Sequence, residues 1–162
     1  MSAPRTRQWT PFVAGALAAA LVAGLGSTMT DLGPWYWALR KPSWQPPDWL
    51  FGPAWTLIFA LTALSGIVSW NTAPDRATRE WIIGVFALNG FLNIVWSALF
   101  FRLRHPDWAL AGVVLLWLSI VWLMLGPTRH STKARWLLLP YLAWVSFAAI
   151  LNLAVVRLNG PF

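Results

Sequence analysis

Three apolar stretches of the chain carry neutral polar groups and large aromatic rings at helical spacing. Asn89, Asn93, Trp96 and Phe100 are separated by steps of three or four residues, which places them on one stripe of a helix. Tyr141, Trp144, Ala148 and Asn152 form a second such stripe, and Trp55, Phe59, Thr62 and Gly66 a third. Amides are costly in an apolar medium unless they are paired, so Asn89, Asn93 and Asn152 should face inward. Two uses are open to them there. Hydrogen bonds that hold helices together are the commoner, and spacing alone favours that reading by roughly two to one. The other use is a pocket whose indole walls and few donors suit a large flat aromatic ligand.

Other chemistries lose their support. Ion-coupled transport uses ionisable groups at membrane depth, and no Asp, Glu, Lys, Arg or His lies inside the apolar stretches. His105 and His130 fall in polar connections, where solvated surface roles are expected, while Met29 and Met124 lie at the ends of apolar stretches as fillers. No axial ligand for a haem iron is therefore in place. With zero cysteines there is no disulfide, thiolate metal site or cysteine nucleophile. No metal site and no covalently bound cofactor are expected. Hydrolysis also lacks a conventional acid–base pair.

The elements that must position these residues follow from composition. Of the 162 residues 58% are hydrophobic and 10% charged, against about 25% charged in a soluble domain. Five stretches lack any charge: Phe12 to Met29, Pro53 to Trp70, Trp81 to Phe101, Trp108 to Leu125 and Trp136 to Val156. As helices they would each span roughly 27 to 32 Å, the thickness of a bilayer core. Trp70, Trp81, Trp108 and Trp136 at their ends resemble interfacial belts. The expected fold is thus all-α, a single integral membrane domain of five transmembrane helices. The net charge of +7 accords better with anionic headgroups than with nucleic acid, since no basic recognition element is present. The first stretch is too long for the apolar region of a signal peptide. Its Gly15, Ala19, Ala23 and Ser27 form a smooth stripe for close helix packing or dimerisation. Lys and Arg are slightly more frequent on the side of the N-terminus, which weakly favours a cytoplasmic N-terminus. The Ala-, Leu- and Arg-rich composition points to a bacterial membrane. Pro53 suits a first helical turn, and Pro140 should kink the last helix.

Between the first two helices, residues 30–52 contain Trp35-Tyr36 and Lys41-Pro42-Ser43-Trp44-Gln45-Pro46-Pro47-Asp48-Trp49, and lead into Gly52-Pro53-Ala54-Trp55. The prolines restrict the backbone, so this segment should be a semi-rigid lid. Headgroup-level floating of its tryptophans is the simpler alternative, but long ordered aromatic loops more often have a function. Together with Leu92-Asn93-x-x-Trp96 and Pro140-Tyr141-Leu142-Ala143-Trp144, the segment resembles the TspO/translocator protein family of tryptophan-rich sensory proteins. The resemblance extends over all but the extreme N-terminus and the short connections.

The resemblance implies a five-helix bundle, a homodimer, and a cavity capped by the first loop. It implies binding of tetrapyrroles (protoporphyrin IX and haem), of sterols in some members, and of flat hydrophobic drugs. By motif, Asn93, Trp96, Trp108 and Ala148 match cavity positions and Trp35, Tyr36 and Trp44 match the lid. Trp55 and Trp144 match the tryptophans proposed to act in light-dependent porphyrin degradation. Arg40 and Lys41 stand near the mouth, for propionates or headgroups. A tetrapyrrole here would be held by its ring and edges. Two departures count against other roles: Leu151 to Arg157 has no Tyr for a sterol-recognition motif, and Ala111-Gly112 follow Trp108-Ala109-Leu110 where animal members have an acid. The expected function is a membrane sensor or receptor for tetrapyrroles; the alternatives are a light-dependent porphyrin-degrading enzyme and a passive carrier of porphyrins, lipids or sterols.

Overall fold

The computed structural model describes residues 6–162, with side chains from residue 13 onward. Every regular element among them is helical: α1 Thr6–Met29, α2 Pro34–Ala38, α3 Phe51–Thr72, α4 Arg76–Ser97, α5 Pro106–Leu125, α6 Thr132–Leu137 and α7 Leu139–Asn159. Four continuous helical segments have the length and apolarity to cross a bilayer: Asp48–Thr72, Arg76–Arg102, Pro106–His130 and Thr132–Asn159. The described apolar part of α1, Val13–Met29, is shorter. These helices leave Leu21, Phe91, Leu118 and Ile150 exposed, an outer surface suited to lipid and unsuited to water.

Helix α5 is the core of the bundle. Ala109, Val113, Leu116, Ile120 and Leu123 follow one another at three- or four-residue steps and are all but inaccessible, packed between α4 and α7. Gly112 lets α4 close in, because a Cβ there would stand 3.2 Å from Leu99 Cδ1 and 3.7 Å from Trp96 Cα. Helix α1 lies against α3 and α4. Its predicted smooth stripe is realised at Gly15, Ala19 and Ala23, which are half-buried, but Ser27 faces outward and Gly26 takes the inward position. The Ser27 hydroxyl instead donates to Gly24 O at 2.7 Å.

Helix ends depart from the charge-free stretches for local reasons. Helix α4 begins five residues before Trp81, because Asp75 caps it: Thr78 N–H donates to Asp75 Oδ1 at 2.7 Å. That bond holds the Asp75 carboxyl below its usual range. At its other end α4 widens into a turn over Ala98–Arg102, where Leu103 N–H donates to Ala98 O, five residues back, at 2.8 Å. The proline expected inside the last helix lies where the helical run is interrupted: Leu138 separates α6 from α7, and Pro140 sits in the first turn of α7. A proline at 140 removes the N–H that would serve Trp136 O and crowds that carbonyl, while costing nothing where the first-turn N–H groups are unpaired anyway. Ser131 starts the short α6 by accepting from Ala134 N–H at 3.2 Å, and buried Ser65 of α3 donates to Ala134 O at 2.8 Å.

Candidate ligand-binding site

The three stripes meet. From α3, Trp55 stacks on Phe59 with ring centroids 5.4 Å apart. It also reaches Trp96 of α4 at 6.1 Å and Tyr141 of α7 at 6.2 Å. Trp96 continues to Phe100 at 6.4 Å, and Trp35 of α2 stands edge-on to Phe100 at 6.3 Å. Trp144 lies one turn further along α7, between Phe51 and Phe147, both at 5.7 Å, and Trp44 meets the far edge of Phe147 at 5.8 Å. Aromatic pairs in tilted or edge-on geometry gain about 0.5–1.5 kcal/mol beyond burial. An aromatic wall of Trp35, Phe100, Trp96, Trp55, Phe59 and Tyr141 therefore runs from segment 34–50 into the bundle, and Trp44, Phe147, Trp144 and Phe51 form a second run.

The amides are buried and paired, as their cost in an apolar medium requires. Asn93 Nδ2 donates to the Tyr141 phenol oxygen at 3.4 Å. Asn152 accepts from Trp96 Nε1 at 3.3 Å and donates to Pro106 O at 2.8 Å. Asn89 donates to Ser119 Oγ at 2.8 Å, and Ser119 donates in turn to Leu116 O. One further bond was absent from the sequence reading: Trp117 Nε1 donates to Ser146 Oγ at 2.8 Å, across α5 and α7. The helix-holding use of the three Asn residues is therefore present, beside whatever they do for a ligand. Ala148 is buried on the same face of α7.

Segment 30–50 is tied down at several points. Tyr36 O–H donates to Asp48 Oδ1 at 2.8 Å, Gln45 Nε2 donates to the same oxygen at 3.0 Å, and Lys41 Nζ is 3.6 Å from Asp48 Oδ2. The Lys41 ammonium also lies 3.7 Å from the Tyr36 ring centroid, a cation–π contact. Burial first, and then the Asp48 carboxylate, push the Tyr36 phenol well above its ordinary range. The Arg40 backbone is held at both ends by Asn159, which accepts from Arg40 N–H at 2.7 Å and donates to Arg40 O at 2.9 Å.

The structure does not unite all nine predicted positions. Trp35, Tyr36, Trp55, Asn93, Trp96, Trp144 and Ala148 surround or adjoin the two aromatic runs, with Trp44 on the rim of the second at 48% exposure. Trp108 is separate, 57% exposed, with its ring stacked 4.5 Å from the His105 imidazole. Its place at the very start of α5 points it outward. A cavity of about 760 Å³ lies against Phe59 and Tyr141, between α1, α3 and α4. None of the nine lines it; Phe59, Thr62, Gly66, Asn89 and Tyr141 from the stripes do. The helical spacing carried that signal, since each of these five lies on one of the three stripes. No cluster of metal-binding side chains occurs among the described residues.

The model of the TspO/MBR family matches residues 12–158. The chain belongs to the TspO/MBR family. It is 44% identical over 138 residues to a tryptophan-rich protein TspO of Chlorobaculum tepidum, covering 83% of this chain and 86% of that one. It is 37% identical over 150 residues to a tryptophan-rich protein TspO of Archaeoglobus fulgidus, covering 91% and 96%. A translocator protein of Sus scrofa is 34% identical over 160 residues, covering 93% and 91%. The TspO/MBR match and the long apolar helices agree on an integral membrane protein.

Proposed function

We propose that the protein is a membrane sensor or receptor that binds tetrapyrroles, protoporphyrin IX or haem, against the aromatic wall of α3, α4 and α7. In this reading α1 is a fifth membrane span, segment 30–50 is the lid, and the working unit is a homodimer in a bacterial membrane. The observation that carries it is Trp55, whose ring meets Phe59, Trp96 and Tyr141 at once. Stacking on a flat ligand would replace these contacts in kind. The Asn93 amide and the indole N–H groups would fix orientation, and Lys41 and Arg40 stand at the lid for the propionates. Iron needs no protein ligand here, because the ring and its edges are what the site can hold.

Tryptophan quenching by protoporphyrin IX in the dark, with protein in nanodiscs, tests this. Saturable quenching at micromolar porphyrin or below, weakened in Trp144→Phe and Asn93→Ala, is the expected result. Linear quenching equal to that of an unrelated Trp-rich membrane protein overturns it. A second reading, light-dependent porphyrin degradation, draws support from the ring-to-ring contacts of Trp55 with Trp96 and Tyr141, a path for an electron to an excited porphyrin. It requires that illumination change the porphyrin spectrum in wild type and leave it unchanged when Trp55 and Trp144 are both Phe.

A further inference from the structure

The cavity between α1, α3 and α4 has a chemistry of its own. Along most of its length the walls are small or apolar, with Ala63, Gly66 and Ile67 from α3 and Gly15 and Ala18 from α1. From Arg79 to Gly90 on α4 it runs roughly 16 Å along the helix axis. One end is polar: Arg79, Asn71 and Trp70 line it where α3 ends and α4 begins. The Arg79 guanidinium lies 5.5 Å from the Trp70 ring centroid. Its Nε is buried and has no hydrogen-bond partner among the described residues. The ion pairs found among those residues are Lys41–Asp48, Arg76–Glu80, Arg104–Asp31 and His105–Asp107, and Arg79 is in none of them. A buried guanidinium N–H without an acceptor is costly, and it favours an anionic oxygen above any neutral one. The same end of the bundle carries Arg76, Arg129, Lys133 and Arg135 against Asp75 and Glu80, a surface that draws anionic headgroups.

We propose that this cavity holds one acyl chain of an anionic membrane phospholipid, whose headgroup phosphate is bound by Arg79. The chain lies along the cavity walls at Gly15, Ala63 and Gly66. Asn71 offers a second polar group at the phosphate. This site shares Phe59 and Tyr141 with the aromatic wall, but its lipid headgroup end does not depend on the function proposed for that wall.

Native mass spectrometry of protein taken from vesicles of equal phosphatidylglycerol and phosphatidylcholine tests the assignment. Wild type should retain phosphatidylglycerol selectively. Arg79→Gln should lower that retention about tenfold, the loss of one charge-assisted bond. Gly66→Leu, which fills the apolar part, should lower it similarly with the guanidinium intact, and circular dichroism should show both variants as helical as wild type. Arg76→Gln removes the same charge at the same end without lining the cavity, and should leave retention unchanged. An equal loss in Arg76→Gln would mean diffuse attraction to the basic surface and would overturn the proposal. So would retention of added oleate in place of phospholipid, or competitive displacement of the lipid by protoporphyrin IX.

Discussion

At the scale of single residues, Asp48 and Asn152 each tie several groups together. Asp48 accepts from Tyr36 and Gln45 and faces Lys41. Asp48→Asn keeps the shape but removes the charge, and should loosen segment 34–50 by about 1–2 kcal/mol. Amide hydrogen exchange of that segment should become roughly tenfold faster while the membrane helices stay protected. Because the Tyr36 phenol is raised in the fold, its contribution is fully present below the unfolded tyrosine value of about 10 and is lost as pH rises above it. Protection of the segment, corrected for intrinsic exchange, should therefore be flat between neutral pH and about 9 and fall beyond 10. Asn152 bridges Trp96 and the Pro106 carbonyl in a buried site. Asn152→Ala leaves the Trp96 indole N–H unpaired and removes a second bond to the Pro106 carbonyl, and should cost about 1–3 kcal/mol in stability, read from the denaturation midpoint in detergent. An unchanged midpoint would show that those bonds carry no net stabilisation.

At the scale of elements, close approach decides the packing. A Cβ at Gly126, after α5, would stand 2.5 Å from Trp81 Cη2 and 3.2 Å from the Trp122 carbonyl oxygen. An indole and a backbone carbonyl cannot give way as a flexible side-chain tip can. Gly126→Ala should destabilise by about 1–3 kcal/mol and shift the fluorescence attributable to Trp81, whose own substitution identifies it. Gly90 makes the contrasting case: a Cβ there would meet only Val22 Cγ2 at 2.9 Å, and a rotamer change at Val22 accommodates it. Gly90→Ala should therefore lower the same midpoint less than Gly126→Ala does. These two glycines look alike in the chain, and their consequences differ because one faces an indole and the other a movable valine.

At the scale of the molecule, the proposed five crossings, α1 among them, would place the termini on opposite faces of the bilayer. Reporter fusions active on only one side should give opposite readings at the N- and C-termini. Equal readings would remove α1 from the membrane and leave the four long segments. The outward leucines and phenylalanines of those segments should also make brominated lipid quench much of the tryptophan emission, since Trp122 and Trp136 are exposed among them.

Composition and period were enough to read the helical class, the membrane environment and the inward turn of Asn89, Asn93 and Asn152. Burying an unpaired amide or a charge in lipid costs several kcal/mol, so few arrangements of such a chain survive. The motifs around Trp35-Tyr36, Asn93-x-x-Trp96 and Pro140-Tyr141 were enough to read the family. Only the tertiary structure decided who partners whom. Asp75 and Ser131 moved helix starts, because a cap depends on one local hydrogen bond and not on apolarity. Pro140 falls in the first turn of α7, just after the interruption at Leu138. Trp108 left the aromatic wall because its position on α5 faces outward, which no motif records. The cavity beside α1 is lined jointly by residues of α1, α3 and α4, a meeting in space that spacing along a single helix does not contain.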